Sequence, residues 1–380
     1  MLNVLLILIF IRPFISSLAA PYENLIYSIL LLGALVIWIT VRGLHLDKIR
    51  PIRYPLMLFI LALAVSLIFS RNITISVQEL YKYVPAILLL AISISLSSKE
   101  KKWVILCIVL AGLVISFRAI YQYFFGFQNL LSYVAKKGIS DSFVLDYISR
   151  KRPFYPFVTP NVLAGYLSMI IPLTFIQKYK WWLIIPLSSA LLLTRSLGAL
   201  LSIFLGVAIY FYLKGDLKKR GILFLAGLLI IIAGVLVSRN VAQKLHTLPV
   251  FSAVMRLSYW QDTLGIIKAH PWTGVGLGNF NLIQSRYAHN SYLQIWAEMG
   301  ILGIVSFIWL IIAVLKESFQ NLKDSASKNK IAGLISASAV FLLHNFVDFS
   351  FFLPEASLIW WVIFGLFARD YHAATRAIIG

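Results

Sequence analysis

Residues 286–315 read RYAHNSYLQIWAEMGILGIVSFIWLIIAVL, a short polar stretch followed by a long apolar one. From Ser291 onward the stretch has 25 residues, and Glu298 is its single charged side chain. An α-helix needs about 20 mostly apolar residues to cross the hydrocarbon core of a bilayer. The stretch therefore predicts a membrane-spanning helix with His289 and Asn290 at its start, where lipid meets water.

Similar apolar runs recur along the whole chain and decide the fold class. The chain has 380 residues, of which 60% are hydrophobic and 13% are charged, and a soluble protein of that size lacks the interior to bury them. We therefore predict an all-α polytopic membrane protein with about twelve transmembrane helices. The predicted spans are 2–19, 24–41, 54–70, 83–98, 103–122, 160–177, 181–194, 196–213, 221–238, 291–315, 331–349 and 356–369.

The basic residues of the loops predict the orientation. If the amino terminus is cytoplasmic, the inner loops are rich in Lys and Arg, whereas the short outer loops have almost none. This is the positive-inside pattern, and it predicts that both termini are cytoplasmic. We interpret residues 1–380 as a single transmembrane domain with outer insertions at about 123–159 and 239–290, the second of them partly helical and placed before the tenth span.

Both outer insertions are basic, and the formal net charge of the chain is +20. Long loops cross a membrane regardless of charge, so these residues do not contradict the predicted orientation. Two explanations remain open: attraction to anionic lipid headgroups, or a phosphate-bearing ligand held outside the membrane. We expect no nucleic-acid partner, because no soluble domain presents a basic face.

A helix is predicted over residues 252–269, capped by Ser252 and ended by His270-Pro271. Its spacing brings basic, aromatic and hydroxyl side chains onto one face. Such a face suits the headgroup level of a bilayer, and it equally suits a diphosphate bound beside a stacked sugar. The residues of this face are Arg256, Tyr259, Trp260 and Thr263.

His289 is the candidate general base, because an imidazole titrates near neutral pH; a plain interfacial role is the alternative. If the tenth helix begins near Arg286, the two residues lie one turn apart, and the guanidinium favours the neutral imidazole. Glu298, further along the helix, is costly in lipid without a partner. Gly300 and Gly303 are expected to let a neighbouring helix approach closely.

Three other segments contain candidate site residues. Thr159-Pro160 is predicted to begin the sixth span, where the amide of Asn161 could bind a sugar hydroxyl or merely belong to the helix start. Arg195 lies in the outer turn between the seventh and eighth spans, within reach of either water or a phosphate. His344 and Asp348 are four residues apart and could pair with each other or belong to a polar patch.

Several familiar catalytic patterns do not occur in the sequence. The alternating glycines at 274, 276 and 278 do not follow a predicted strand or complete a dinucleotide fingerprint, so we interpret them as a tight turn. There is no H-E-x-x-H, D-x-D or Cys/His cluster, and we expect neither a metal nor another cofactor. No nucleophile elbow is present either.

The segment from His289 to Gly303 matches a His-Asn-x9-Gly-x-x-Gly pattern and resembles the O-antigen ligase and O-antigen polymerase superfamily. Residues 256–260 and 270–280 resemble the family's segment before that His. Residues 159–161 and 344–348 also have counterparts in the family. The resemblance covers most of the chain and is densest from 156 to 355.

The resemblance implies an inverting, metal-independent glycosyltransferase of the multi-spanning class. Such an enzyme moves a glycan from undecaprenyl diphosphate to an acceptor hydroxyl at the periplasmic face of the bacterial inner membrane. By resemblance, His289 is the base, and Arg256 and Arg195 bind the diphosphate. The remaining candidate substrate-binding residues are Arg286, Asn161, Tyr259, Trp260, Asn290, His344 and Asp348.

The hairpin departs from the family pattern Thr-x-Ser-Arg-Gly-Ala. Here it reads Thr194-Arg-Ser-Leu-Gly-Ala199, with the Arg two positions early. Two positions on a helix correspond to a rotation of about 200°. Arg195 can therefore act as proposed only if the chain is non-helical at that point.

Among the possible acceptors we favour lipid A–core, which makes the expected partners this acceptor, an undecaprenyl-diphosphate-linked glycan and membrane lipid. The alternatives are another glycan, as in an O-antigen or exopolysaccharide polymerase, and a protein, as in an O-oligosaccharyltransferase. A transporter of an anionic or lipid-linked solute is disfavoured. Its ionisable groups are expected near the membrane midplane, whereas here only Arg12 is predicted to lie deep.

Overall fold

The computed structural model describes residues 1–138, 145, 148–177, 180–216, 227, 233, 251–322 and 325–367. Over these ranges the chain is α-helical with short 3-10 and π turns and has no β-strand, which confirms the all-α prediction. The helices are α1 Leu2–Ile11, α2 Pro21–Arg42, α3 Leu46–Ile49, α4 Arg53–Ile68, α5 Ile73–Ser95, α6 Ser98–Tyr121, α7 Phe127–Lys136, α8 Pro160–Thr174, α9 Lys180–Thr194, α10 Leu197–Lys214, α11 Phe251–Ala269, α12 Ser291–Asn321, α13 Ser325–His344 and α14 Pro354–Leu366.

Several helices have the length and composition of membrane spans, so the chain is a multi-pass membrane protein. Apart from residues 227 and 233, the span predicted at 221–238 lies outside the described residues, and the total of twelve stays a prediction. Within the described ranges, six stretches are long and apolar enough to cross a bilayer: Pro21–Arg42, Leu46–Ile68, Ile73–Ser95, Ser98–Lys136, Leu197–Lys214 and Ser291–Phe319. Shorter apolar helices lie at Leu2–Phe14, Pro160–Thr174, Trp182–Thr194 and Pro354–Leu366.

The centre of the bundle is formed by α14, all of whose side chains are buried. It packs against α5, while α12 packs against α4 and α13 packs against α8 and α10. Trp360 and Trp361 fill the middle, with Phe307 of α12 and Phe59 of α4 around them. Many Leu, Ile and Val side chains of α2 and α4 instead face outward, as expected of helices in contact with lipid.

The span predicted to begin at residue 83 begins at Ile73, and three other predicted boundaries are also wrong. The first span is not one helix over 2–19: α1 ends at Ile11, because Pro13 cannot continue the helical hydrogen bonding. The span predicted at 331–349 ends at His344, because the Asn345 side chain accepts hydrogen bonds from Ser291 Oγ and the Phe351 backbone and holds the chain in a turn. The helix predicted to stop at 122 runs on to Lys136 through a π turn at Gln122–Gly126.

Arg12 does not lie deep in the bundle as an isolated charge. It follows the end of α1, donates to the Ile15 carbonyl oxygen at 2.7 Å and pairs with Glu355 at 3.4 Å. Glu355 is in the first turn of α14 and also accepts a hydrogen bond from the Ser17 backbone at 3.2 Å. The pair therefore lies near the end of the bundle where α2 and α14 begin.

Contacts between turns show that the helix ends gather into two groups. In one group Arg42 pairs with Glu100 at 2.6 Å, and Lys48 donates to the Ser95 carbonyl oxygen at 3.2 Å. In the other group the Arg71 backbone donates to the Val275 carbonyl oxygen at 3.1 Å. The second group includes the turn before α12, and it contains the candidate site.

Candidate active site

His289 lies in the turn immediately before α12, with a backbone φ of +52°. Left-handed φ values are uncommon for residues other than glycine and cluster at functional sites. The next residue, Asn290, caps the helix: its side-chain oxygen accepts from the backbone N–H groups of Tyr292 at 3.0 Å and Leu293 at 3.1 Å. Since α12 begins at Ser291, the predicted start of this span is confirmed, and the condition that the helix begins near Arg286 is not met.

Aromatic rings enclose the imidazole. Tyr259 of α11 stacks on it with centroids 5.5 Å apart and an interplanar angle of 22°. Phe349 meets it nearly at a right angle, with centroids 4.8 Å apart. Within the described part of the chain, the buried Nδ1 of His289 has no hydrogen-bond partner. The imidazole is therefore held by ring packing rather than by polar contacts.

Burial and two charged neighbours set the protonation of His289. Burial lowers its pKa, the negative charge of Asp348 raises it, and the positive charge of Arg256 lowers it, with a net lowering from the ordinary value. A lowered pKa favours the neutral imidazole at pH 7, which is the form able to accept a proton. The arrangement is therefore chemically suited to general-base catalysis.

Asp348 and His344 form a buried pair, which is the first of the two alternatives left open by the sequence. His344 Nε2 lies 3.3 Å from Asp348 Oδ2 and 3.1 Å from the Asn161 carbonyl oxygen. Both neighbours of Nε2 are acceptors, so this nitrogen carries the proton. Ser350 Oγ donates to the same carboxylate oxygen. Burial would raise the pKa of Asp348, but His344, Ser350 and His289 outweigh it and lower the pKa below its usual value.

Two glycines make room for His344 between α8 and α10. A Cβ at Gly165 would lie 2.7 Å from His344 Nε2, and one at Gly198 would lie 2.8 Å from a methyl group of Val347. These distances are too short for a side chain at either position. The small residues thus allow both helices to approach the end of α13, where the His344–Asp348 pair lies.

Thr159 and Asn161 begin α8 as predicted. Thr159 caps the helix by accepting from the Val162 backbone at 3.3 Å, and Pro160 occupies its first turn. The Asn161 side-chain oxygen accepts from Arg152 Nη2 at 3.0 Å, and Arg152 Nε donates to the Thr194 carbonyl oxygen at 2.7 Å. Arg152 is absent from the predicted site residues, because its contact with Thr194 joins segments 42 positions apart in the sequence.

Arg195 lies in a non-helical turn, as its position two residues earlier than in the family pattern requires. It lies between the end of α9 at Thr194 and the start of α10 at Leu197, with a φ of +54°. The hairpin is therefore non-helical there, and the rotation calculated for a helix does not apply. Thr194 stabilises the turn by accepting from the Ser196 backbone at 3.3 Å, and the Arg195 side chain is half-exposed.

Two residues of the predicted α11 face act on His289: Tyr259 stacks on the imidazole, and Arg256 influences it electrostatically. Thr263 is buried and donates to the Tyr259 carbonyl oxygen of its own helix at 2.6 Å. Trp260 lies half-buried on the same helix. The helix ends at Ala269 as predicted, but Ser252 is not its cap, because Phe251 is already helical.

Arg286 is not the cation beside His289. Its side chain is 59% exposed, and its guanidinium lies 3.9 Å from Glu79 of α5. The predicted proximity assumed helical spacing, but the turn before α12 is not helical, so residues three apart do not share a face. Arg256, from a different helix, provides the positive charge that acts on the imidazole.

Gly300 breaks α12 rather than contacting a neighbouring helix. Its φ is +65° and its ψ is −170°, and a Cβ there would overlap the Trp272 carbonyl and lie 2.7 Å from the Thr273 nitrogen. The loop over 271–278 provides the hydrogen bonds that the helix lacks at the break. The Val275 backbone donates to the Ala297 carbonyl oxygen at 2.9 Å, and the Ile301 backbone donates to the Pro271 carbonyl oxygen at 2.9 Å. The expectation of helix packing at this position is wrong.

The glycine-rich loop also provides Glu298 with a partner. The Gly278 backbone donates to one carboxylate oxygen at 3.0 Å, and Gln294 donates to the other at 2.9 Å. The Gly276 backbone donates to the Glu298 carbonyl oxygen at 3.0 Å. The loop therefore docks on α12 instead of forming only a tight turn, and its positive φ values explain the glycines.

These features define a multi-pass α-helical membrane protein with an imidazole, a carboxylate and a guanidinium together at one end of its bundle. The family model described as O-antigen ligase matches residues 182–308, which include Arg195, α11 and His289. Over this segment the chain is O-antigen ligase-like, and the resemblance is confirmed. The match supports a membrane glycosyltransferase of ligase or polymerase type. No curated protein matches the chain.

Proposed function

We propose that this protein transfers a glycan from undecaprenyl diphosphate to a hydroxyl of lipid A–core. The reaction takes place at the periplasmic face of the bacterial inner membrane, with both termini in the cytoplasm. The observation that carries the proposal is the half-buried His289, enclosed by two rings and with a lowered pKa, next to Arg256 and Asp348 in the O-antigen ligase-like segment.

The chemistry is a displacement with inversion at the anomeric carbon of the donor sugar. The acceptor oxygen forms a bond to this carbon while its proton passes to His289. The bond from the anomeric carbon to the diphosphate oxygen breaks, and undecaprenyl diphosphate leaves with the electron pair. Asp348 stabilises the imidazolium that forms, because its carboxylate is buried and ionised nearby.

Arginine side chains neutralise the leaving diphosphate. Arg256 is the first candidate, because it lies on the helix whose Tyr259 stacks on the base. Arg195 is the second, from a non-helical turn between two apolar helices. A guanidinium suits this role because its fork matches two phosphate oxygens. Tyr259 and Trp260 provide ring surface for the donor sugar.

Three other candidate residues position the site. Asn290 uses its side-chain oxygen to cap α12, and Asn161 uses its own to accept from Arg152. His344 holds Asp348 through Nε2. We assign these side chains to the support of His289, Arg152 and Asp348 rather than to direct contact with substrate.

The test uses the full protein in lipid nanodiscs with an undecaprenyl-diphosphate-linked glycan as donor. Lipid A–core, a lipid-linked repeat unit and a serine-containing peptide are offered as separate acceptors, each with and without EDTA. We expect transfer to lipid A–core that EDTA leaves unchanged. Transfer only to the repeat unit makes the protein a polymerase, and loss of activity with EDTA contradicts the metal-independent mechanism.

Arg256→Gln is expected to raise the KM for the donor by about 10- to 100-fold, because a charge-assisted contact to a diphosphate contributes about 1.5–3 kcal/mol. The measurement is donor titration at saturating acceptor. Lys268→Gln is the matched control, since Lys268 is an exposed cation near the end of the same helix. Equal donor KM values for the two variants would remove Arg256 from the diphosphate site.

The pH profile is expected to move in opposite directions in two variants. Burial lowers the pKa of His289, Asp348 raises it and Arg256 lowers it. The rate rises with pH as the base loses its proton, so Asp348→Asn should shift this acidic limb to lower pH and Arg256→Gln to higher pH. The measurement is kcat/KM for the acceptor against pH. Shifts of the same sign would contradict this electrostatic assignment.

A further inference from the structure

A second group of polar residues lies close to His289 and takes no part in the mechanism above. We call it the Glu79 cluster: Glu79 and Lys82 of α5 with Arg286 and Tyr287 of the turn before α12. Glu79 pairs with Lys82 and lies 3.9 Å from Arg286. The side chains of Glu79 and Lys82 are only 12% and 10% exposed.

Tyr287 connects this cluster to the candidate base. Its ring stacks on Phe349, with centroids 4.3 Å apart and an interplanar angle of 10°, and Phe349 in turn contacts His289. Its hydroxyl lies within the electric field of Lys82, Arg286 and Glu79. One aromatic ring, that of Phe349, therefore separates Tyr287 of the cluster from the imidazole.

The Tyr287 hydroxyl has an unused hydrogen-bonding capacity. The residue is 8% exposed, and within the described ranges its hydroxyl has no hydrogen-bond partner. Burying a hydroxyl without a partner is energetically unfavourable, because its contacts with water are lost and not replaced. A buried ion pair is also costly to form, and often no more stable than apolar packing. A ligand that forms hydrogen bonds with the Tyr287 hydroxyl and with the buried ion pair would offset both costs.

The charges of the cluster indicate what kind of ligand this is. Lys82 and Arg286 are opposed by Glu79, and the nearby Arg12 is opposed by Glu355. A mixture of donors and acceptors, with little excess charge and a ring at its edge, fits a polyhydroxyl compound better than a diphosphate. The diphosphate has its cations on α11 and in the α9–α10 hairpin instead.

We propose that the Glu79 cluster is a subsite for a sugar residue of the acceptor, bound next to the sugar whose hydroxyl reaches His289. The Tyr287 hydroxyl, the Glu79 carboxylate and the Arg286 guanidinium form hydrogen bonds to its hydroxyl groups. This inference rests on the proposed glycan transfer and adds that acceptor recognition depends on a saccharide, at residues separate from those that bind the donor.

The experiment compares Tyr287→Phe with Tyr166→Phe at saturating donor, using the acceptor that supports wild-type transfer. Tyr287→Phe keeps the ring that stacks on Phe349 and removes only the hydroxyl. Tyr166 is a matched control, because it is fully buried and its hydroxyl also lacks a partner within the described ranges, but its ring packs on Phe157. We expect about a tenfold rise in acceptor KM for Tyr287→Phe, with unchanged donor KM and kcat.

Glu79→Gln is the second variant and should also raise the acceptor KM at unchanged donor KM. Unfolding midpoints of all three variants check that the bundle is intact. An acceptor KM for Tyr287→Phe equal to that of the Tyr166→Phe control overturns the subsite, as does an increase in donor KM. Transfer by the wild type to peptide alone also overturns it, while absence of any wild-type transfer refutes the proposed function itself.

Discussion

His289→Ala is expected to abolish glycan transfer while binding of the lipid-linked donor largely survives. A positioned base contributes about 10²- to 10⁴-fold to a rate, and this imidazole lies among the charges and rings of the site. In the proposed site the donor diphosphate contacts arginines on other segments, so its affinity should change little. The measurements are single-turnover transfer rates and donor binding to the variant in nanodiscs.

A second substitution separates loss of the base from loss of the turn. His289 has a φ of +52°, and asparagine accepts left-handed backbone angles better than most residues. His289→Asn should therefore keep the turn and still lose the transfer activity. His45→Ala, at an exposed histidine just before α3, is the control and should retain the wild-type rate. Full activity of either His289 variant would end its assignment as the base.

Gly300→Ala is expected to be the most destabilising small substitution in α12. Its backbone angles, φ +65° and ψ −170°, lie in a region used almost only by glycine, and strain there costs about 1–3 kcal/mol. The added methyl group would also collide with the Trp272 carbonyl. We expect a total loss of stability of about 3 kcal/mol or more, measured as the unfolding midpoint in detergent.

The same substitution should also reduce activity in the protein that remains folded. The loop over 271–278 joins the end of α11 to the break in α12, so its displacement would move Tyr259 and Arg256 away from His289. Gly265→Ala is the matched control within α11, because a Cβ there meets no atom within 4 Å. It should be neutral or stabilising by up to about 1 kcal/mol. Equal midpoints for the two variants would contradict this account of the break.

Features that depend on near neighbours in the chain could be predicted from the residues themselves. The cap of α8 at Thr159, the end of α11 at Ala269 and the His344–Asp348 pair all follow from local spacing or local hydrogen bonding. The sequence sets a non-helical turn at Arg195 as a requirement for its role, but nothing nearby in the sequence establishes that turn. These features involve residues within about one helical turn of each other.

Features that depend on distant residues could not be predicted in this way. Arg286 shares a segment with His289 but turns to Glu79, more than 200 residues earlier, while Arg256 provides the charge on the imidazole. Arg152 joins Asn161 to the α9–α10 hairpin. Periodicity predicts which residues share a face only inside a regular element, and these contacts are made by residues in turns.

The amino-acid sequence alone determined that this is an all-α membrane protein, because apolar runs long enough to span lipid permit little else. It also indicated which histidine to consider as the base, because His289 lies at the polar start of such a run and an imidazole titrates near neutral pH. Only the tertiary structure decided which cation acts on that histidine, and that Gly300 breaks its helix to receive a loop. Both depend on backbone groups and charges that meet across separate helices, where desolvation and close packing determine the geometry.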